Sequence, residues 1–291
     1  MRIVRLSASV VLLALVAAFA VSGCGSSSST SSSDTTTSAE IDPNAKPANP
    51  KPETGHWSYS GADGPTHWAD LNSDYKACGD GTEQSGIDFT GTRSGDFVRI
   101  ALSYKPEPFE VKNNGHAIEV AALKSEDTLA LADSSNPDAP LTDYVLAQFH
   151  FHAPSEHTLN GKHFPVEVHF VHQAPNGKLA VVGVFVEQGE TNPTFAKIAS
   201  KIPSQADQTN QTSSDLNPEG LIPPLDGTAF RYDGSLTTPP CTEGVTWTVY
   251  KQPVTLSASQ IEALTSVYSD NARPVQPIGD RVILRASGSG Q

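Results

Sequence analysis

Apolar and polar positions alternate with a period of two through much of the chain, and that alternation predicts strands. In Phe97–Leu102 the residues Val98, Ile100 and Leu102 fall on one face, and a continuous apolar run at Leu179–Val186 reads as a buried strand. The segments QFHFH at 148–152 and VEVHF at 166–170 also alternate, and the residues between them carry Pro154, Asn160 and Gly161, turn formers suited to a hairpin-like return. Helical spacing is confined to two places. Thr194–Ser200 follows a proline, and Ser257 with Gln260 forms a capping-box signature ahead of Ile261, Leu264 and Tyr268. Internal repeats are absent.

The amino terminus follows a different pattern. Arg2 and Arg5 precede an apolar run at Val10–Val21, which is too short to span a bilayer and reads as a signal peptide over 1–23. Val21-Ser22-Gly23-Cys24 resembles a bacterial lipobox, so Cys24 is the expected lipidation site. Residues 24–53 then form the tether: Gly25–Thr37 is almost entirely Ser and Thr, and Pro43, Pro47, Pro50 and Pro52 follow. The expectation is an exported protein held by lipid in the cell envelope, on its periplasmic or extracellular face, with a globular part at 54–286 and a flexible tail at 287–291.

Composition narrows the function classes. With 291 residues and 37% hydrophobic content the chain can bury a full core. The formal charge is −13, and removing Arg2 and Arg5 with the signal takes it to −15. A surface of that sign repels nucleic acid and anionic headgroups, and no basic patch interrupts it, so a membrane is reached only through the lipid. With Cys24 consumed by lipid in an exported chain, Cys78 and Cys241 are expected to pair as a disulfide, stabilising by roughly 4 kcal/mol in the chain-entropy model.

The candidate chemistry lies in three histidines. In an extended strand residues i and i+2 share a face, so His150 and His152 present two imidazoles to one point, and His169 on the returning strand supplies a third. Gln148 and Glu167 lie on the same faces and are acceptors able to hold the outer ring nitrogens. Phe149, Phe151, Val168 and Phe170 point the other way, as does His172, which reads as structural. Three neutral imidazoles leave one corner of a zinc tetrahedron open, the pattern of a catalytic zinc site.

These residues resemble the alpha-class carbonic anhydrases. HWSYSGADGPTHW at 56–68 is similar to the family's amino-terminal aromatic segment, EQSGID at 83–88 to its Q-S-P-I-D element, and NNGH at 113–116 to its proton-shuttle turn. SEHTLNG at 155–161, GSLTTPPC at 234–241 and NARPVQP at 271–277 follow in the family's order. Two positions depart from it. Gly86 replaces the usual proline, which is expected to loosen that turn away from the metal, and Ala153 replaces a tryptophan found in many members.

The resemblance implies a mainly β (α+β) fold: one large twisted, mostly antiparallel sheet with short peripheral helices. It also implies reversible hydration of carbon dioxide to bicarbonate by hydroxide formed at Zn2+, with a possible esterase side activity. Glu156 and Thr237 would orient the nucleophile, and Thr238 would meet bicarbonate. Val171, Val181, Leu236, Val245 and Trp247 would form the wall for carbon dioxide. His116 would relay the proton, and Tyr59 and Asn271 would order the intervening water. The competing expectation is a catalytically silent binding module on the same fold. Oligomeric state is left open.

Overall fold

The computed structural model describes residues 56–95, 100–124, 126–131 and 141–287. The signal peptide, the tether with Cys24, residues 288–291, and Phe97 and Val98 of the first expected strand lie outside the described residues. Ser287, expected to open the tail, instead closes a strand.

Twelve strands are present among the described residues: β1 (Arg93–Ser94), β2 (Ile100–Ser103), β3 (Phe109–Asn113), β4 (Ile118–Ala122), β5 (Thr128–Leu131), β6 (Thr142–His152), β7 (Val166–Gln173), β8 (Leu179–Gln188), β9 (Thr209–Gln211), β10 (Thr228–Ser235), β11 (Glu243–Leu256) and β12 (Leu284–Ser287). They form one mixed sheet in the order β1-β12-β10-β11-β8-β7-β6-β4-β3-β9, with β5 joining β6 to β2. Pairing is antiparallel except for β8 with β11 and β1 with β12. The helices are short: α1 (Trp68–Leu71), α2 (Ala77–Asp80), α3 (Pro193–Ala199) and α4 (Ala258–Thr265).

The alternation in the sequence sorts side chains onto two faces of this sheet, each with its own core. One face carries Phe149, Phe151, Val168, Phe170, Val182 and Val184, and α3 and α4 cover it with Phe195, Ile198 and Leu264. Asn192 caps α3 by accepting from Thr194 and Phe195 N–H, and both halves of the Ser257–Gln260 capping box form at α4. The opposite face carries Val181, Phe185, Phe230, Tyr232, Val245, Trp247 and Val249. His150, His152 and His169 belong to this second face.

The β6–β7 return positions those histidines. Leu159 and Lys162 exchange backbone hydrogen bonds across Asn160 and Gly161, whose φ values of 52° and 74° are the left-handed conformation a two-residue hairpin turn needs. The register that results sets His150 opposite His169 and His152 opposite Glu167.

Candidate metal centre

Cross-strand rows build the site. The row through His150 and His169 continues from Glu119 on β4 to Gly183 on β8 and Val249 on β11. The adjacent row runs Gln148, Val171, Val181, Trp247, Tyr232. One flank of the histidines is therefore apolar and the other, toward β4 and β3, is polar. Gly183 leaves the space beside His169: a Cβ there would stand 3.0 Å from Val249 and 3.1 Å from the Glu167 carboxylate.

Ligand nitrogens of His150, His152 and His169 lie within 4.8 Å of one another. The Nδ1 atom of His150 is 2.8 Å from Gln148 Oε1, and the Nδ1 atom of His152 is 2.7 Å from the carbonyl of Asn271. With those atoms engaged, Nε2 of each ring is the one offered to the centre, and Nε2 of His152 is buried with no hydrogen-bond partner. His169 is held the other way round. Its Nε2 approaches Glu167 Oε1 at 3.1 Å, off the line of a hydrogen bond, which leaves Nδ1 for the centre.

Electrostatics keep His150 and His152 neutral. Burial pushes His150 well below the ordinary histidine value, and its two partner histidines push it further down. Burial likewise lowers His152, against the pull of Glu156. Unprotonated imidazoles at pH 7 are what a metal ion requires. The donor set, the orphaned His152 nitrogen and the anchored outer nitrogens fit zinc.

Glu167 is a hub that the sequence reading connects only to His169. Its Oε2 accepts from the backbone N–H of Glu156 and His157, both at 2.9 Å, and its Oε1 lies 2.7 Å from His157 Nδ1. Burial alone would raise this carboxyl, but His157 and His169 outweigh it and hold it well below the usual range. His157 continues the network to the Tyr232 hydroxyl at 2.6 Å, which donates to Ser85, whose hydroxyl accepts from Ser235 N–H. A lone histidine in a loop carries no periodic signal, so His157 and this chain of contacts escape sequence reasoning.

Glu156 is fully buried, with Oε1 accepting from Arg273 N–H at 3.0 Å. Its other oxygen has no hydrogen-bond partner and lies 3.5 Å from His152 Nε2 and 3.9 Å from His169 Nδ1, so a free acceptor faces the centre. Gly86 lies against this residue: a Cβ there would come within 2.5 Å of the Glu156 carbonyl. The turn that departs from the family pattern therefore packs directly on the backbone of Glu156.

Thr237 is buried and Thr238 half-buried in the loop between β10 and β11. Backbone bonds from Leu236 N–H to Thr242 and from Cys241 N–H to Thr238 close that loop, and the Cys78–Cys241 disulfide ties it to α2. Val181, Val245 and Trp247 are buried in one apolar cluster, with Val171 and Leu236 packed against it.

The remaining expected residues divide. His116 is half-buried and its ring stacks on Trp57, with centroids 3.6 Å apart and planes 9° apart. The Tyr59 hydroxyl is buried without a hydrogen-bond partner, and burial raises its pKa well above the ordinary phenol value. Asn271 is a correction. Its Oδ1 accepts from Ala153 N–H, and its Nδ2 donates to the carbonyls of His116 and Phe151. With oxygen and both amide protons committed to backbone groups, its side chain is framework and is not free to order water.

The geometry defines a protein class: a three-imidazole centre on the half-apolar face of one large mixed sheet. Residues 63–287 match the family model described as eukaryotic-type carbonic anhydrase. A carbonic anhydrase of Klebsiella pneumoniae is 43% identical over 230 residues, covering 79% of this chain and 90% of its own, and one of Neisseria gonorrhoeae is 39% identical over 234 residues, covering 79% and 87%. Among solved structures, the α-carbonic anhydrase of Thermovibrio ammonificans in complex with the inhibitor sulfanilamide matches with a TM-score of 0.73 and 41% identity, over 79% of this chain and 98% of that one. The chain belongs to the α-carbonic anhydrase family of enzymes.

Proposed function

We propose that the chain catalyses the reversible hydration of carbon dioxide to bicarbonate and a proton, with zinc held by His150, His152 and His169. The observation that carries this reading is the convergence of three imidazoles, two with their outer nitrogens held by Gln148 and Asn271 and the third with its outer nitrogen beside the Glu167 carboxylate. Bound there, zinc supplies a Lewis acid that brings the pKa of water down to about 7 and so provides a nucleophile at neutral pH.

The chain's own residues do the rest. Val171, Val181, Leu236, Val245 and Trp247 offer an uncharged, apolar substrate a surface that water solvates poorly. The free Glu156 oxygen is the acceptor to which the Thr237 hydroxyl would donate, so the Thr237 oxygen is left to accept from the attacking group and fix its orientation. Thr238, beside it, meets the bicarbonate oxygens. His116 moves the released proton toward solvent through water, and the unpartnered Tyr59 hydroxyl helps orient that water. The same nucleophile would attack activated esters as a side activity.

Stopped-flow hydration by the purified protein, with its zinc count, tests the reading. Activity that a chelator abolishes and added zinc restores is expected, and His169→Ala should lose metal and activity together. Full hydration by the metal-free protein would overturn it. Export and lipid attachment at Cys24 are part of the same proposal. Labelling with a fatty acid in the wild type but not in Cys24→Ser is expected, and equal labelling would reject the anchor.

A further inference from the structure

The segment that begins the described chain places a second imidazole outside His116. The His56 ring lies 6.5 Å from the His116 ring, centroid to centroid. That spacing is about what one water spans when it hydrogen-bonds to two ring nitrogens. The His56 Nδ1 atom lies 3.4 Å from Asp63 Oδ2, and the two side chains are 57% and 26% exposed. His116 is less open to solvent, lying half-buried against the plane of Trp57.

The arrangement is held in place. Ser58 N–H donates to the Asp63 carbonyl at 2.9 Å, which brings Asp63 back beside His56. Trp57 packs edge-on against Tyr59 and Trp68, and Trp68 Nε1 donates to the Ser58 carbonyl. His116 is fixed through its backbone, its N–H donating to Asn114 Oδ1 and its carbonyl accepting from Asn271.

We propose that His56, backed by Asp63, is an outer station of the proton path that receives the proton from His116 and delivers it to buffer. The inference rests on the shuttle role proposed for His116. Protonated His116 gives its N–H proton to the bridging water while that water gives one of its own to the unprotonated Nε2 of His56. His116 is left neutral, Nδ1–H of His56 stays turned to Asp63, and the charge on His56 is then removed by an external base. Burial and the neighbouring His56 both lower His116, with Asp207 pulling the other way. The two rings therefore hold one proton more readily than two, and the counter-charge of Asp63 and the open solvent favour its outward transfer.

The zinc-loaded full chain carrying His56→Ala, Asp63→Asn or His116→Ala tests this. In dilute buffer that lacks imidazole, His56→Ala should lower kcat by about threefold with kcat/KM unchanged, since addition to carbon dioxide needs no proton relay. Added imidazole should restore it, and Asp63→Asn should lose less. In an NMR titration, His116 should titrate at higher pH in His56→Ala than in the wild type. A loss in His116→Ala with none in His56→Ala would overturn the outer station and leave the shuttle standing. Loss in neither would overturn both, and a loss in His56→Ala that imidazole does not restore would make His56 structural and overturn the relay.

Discussion

The carbonyl of Asn271 lies 2.7 Å from the Nδ1 atom of His152, and the same residue's amide grips the carbonyl of His116. One residue from the far end of the chain thus fixes both the ring of a proposed zinc ligand and the turn that carries the proposed shuttle. Asn271→Ala removes the side-chain partners of Ala153, His116 and Phe151, and buried groups left unpaired cost about 1–3 kcal/mol each. The carbonyl remains but loses its anchor, so zinc affinity should fall about tenfold. Chemical denaturation and competition with a chelator check both; unchanged zinc affinity would mean that the backbone holds its place unaided.

Glu167→Gln is nearly isosteric, yet it should be costly. The carboxylate oxygens face donors on every side: two backbone N–H groups, His157 Nδ1 and His169 Nε2. A glutamine has one acceptor oxygen, so its NH2 must confront N–H groups. Each buried donor left without an acceptor costs about 1–3 kcal/mol, and freeing the ring of His169 should weaken zinc binding about 10- to 100-fold. Zinc competition and urea denaturation of the variant measure the two effects.

How much of this was legible in the sequence follows from which contacts are periodic. The histidine faces, the β6–β7 return, the helix at Pro193–Ala199 and the capping box at Ser257 all arise from local rules, and the structure places them as expected within a residue or two. His157, Tyr232 and Gly183 matter because strands distant in sequence pass beside them, and nothing at their own positions announces it. Asn271 and Gly86 were visible as motif positions, but their roles depend on which backbone atoms they meet. A motif gives identity; only the fold gives partners.

The Cys78–Cys241 bridge closes a loop of 163 residues and joins α2 to the loop that carries Thr237 and Thr238. In the chain-entropy model such a closure stabilises by about 5 kcal/mol at most. Cys78→Ser/Cys241→Ser should therefore unfold at markedly lower denaturant than the wild type, and reductant should move the wild type toward it. Zinc content should persist in the folded variant, because the ligands lie on β6 and β7, neither of which the bridge joins. Equal denaturation midpoints would show that the bridge adds nothing to stability.

The last expectation concerns pH. His172 lies on the face opposite the zinc ligands, fully buried, with Nε2 2.6 Å from the Tyr104 hydroxyl. Burial lowers its pKa from 6.5 to about 4. Between those values the unfolded chain binds a proton that the folded chain refuses, so stability falls as pH drops from 6.5 toward about 4 and this group adds no further loss below that. At 1.36 kcal/mol per unit the full descent is worth about 3 kcal/mol. Glu107 and Asp127, carboxyls raised chiefly by burial, act with the opposite sign over their own range. They are common to the wild type and His172→Gln, as are the zinc ligands, so the difference between the two stability profiles isolates His172. The variant should be less stable at pH 7, where it loses a packed ring, and its profile should be flatter down to pH 4. Parallel profiles across that window would show that His172 takes up a proton in the folded state as readily as in the unfolded one.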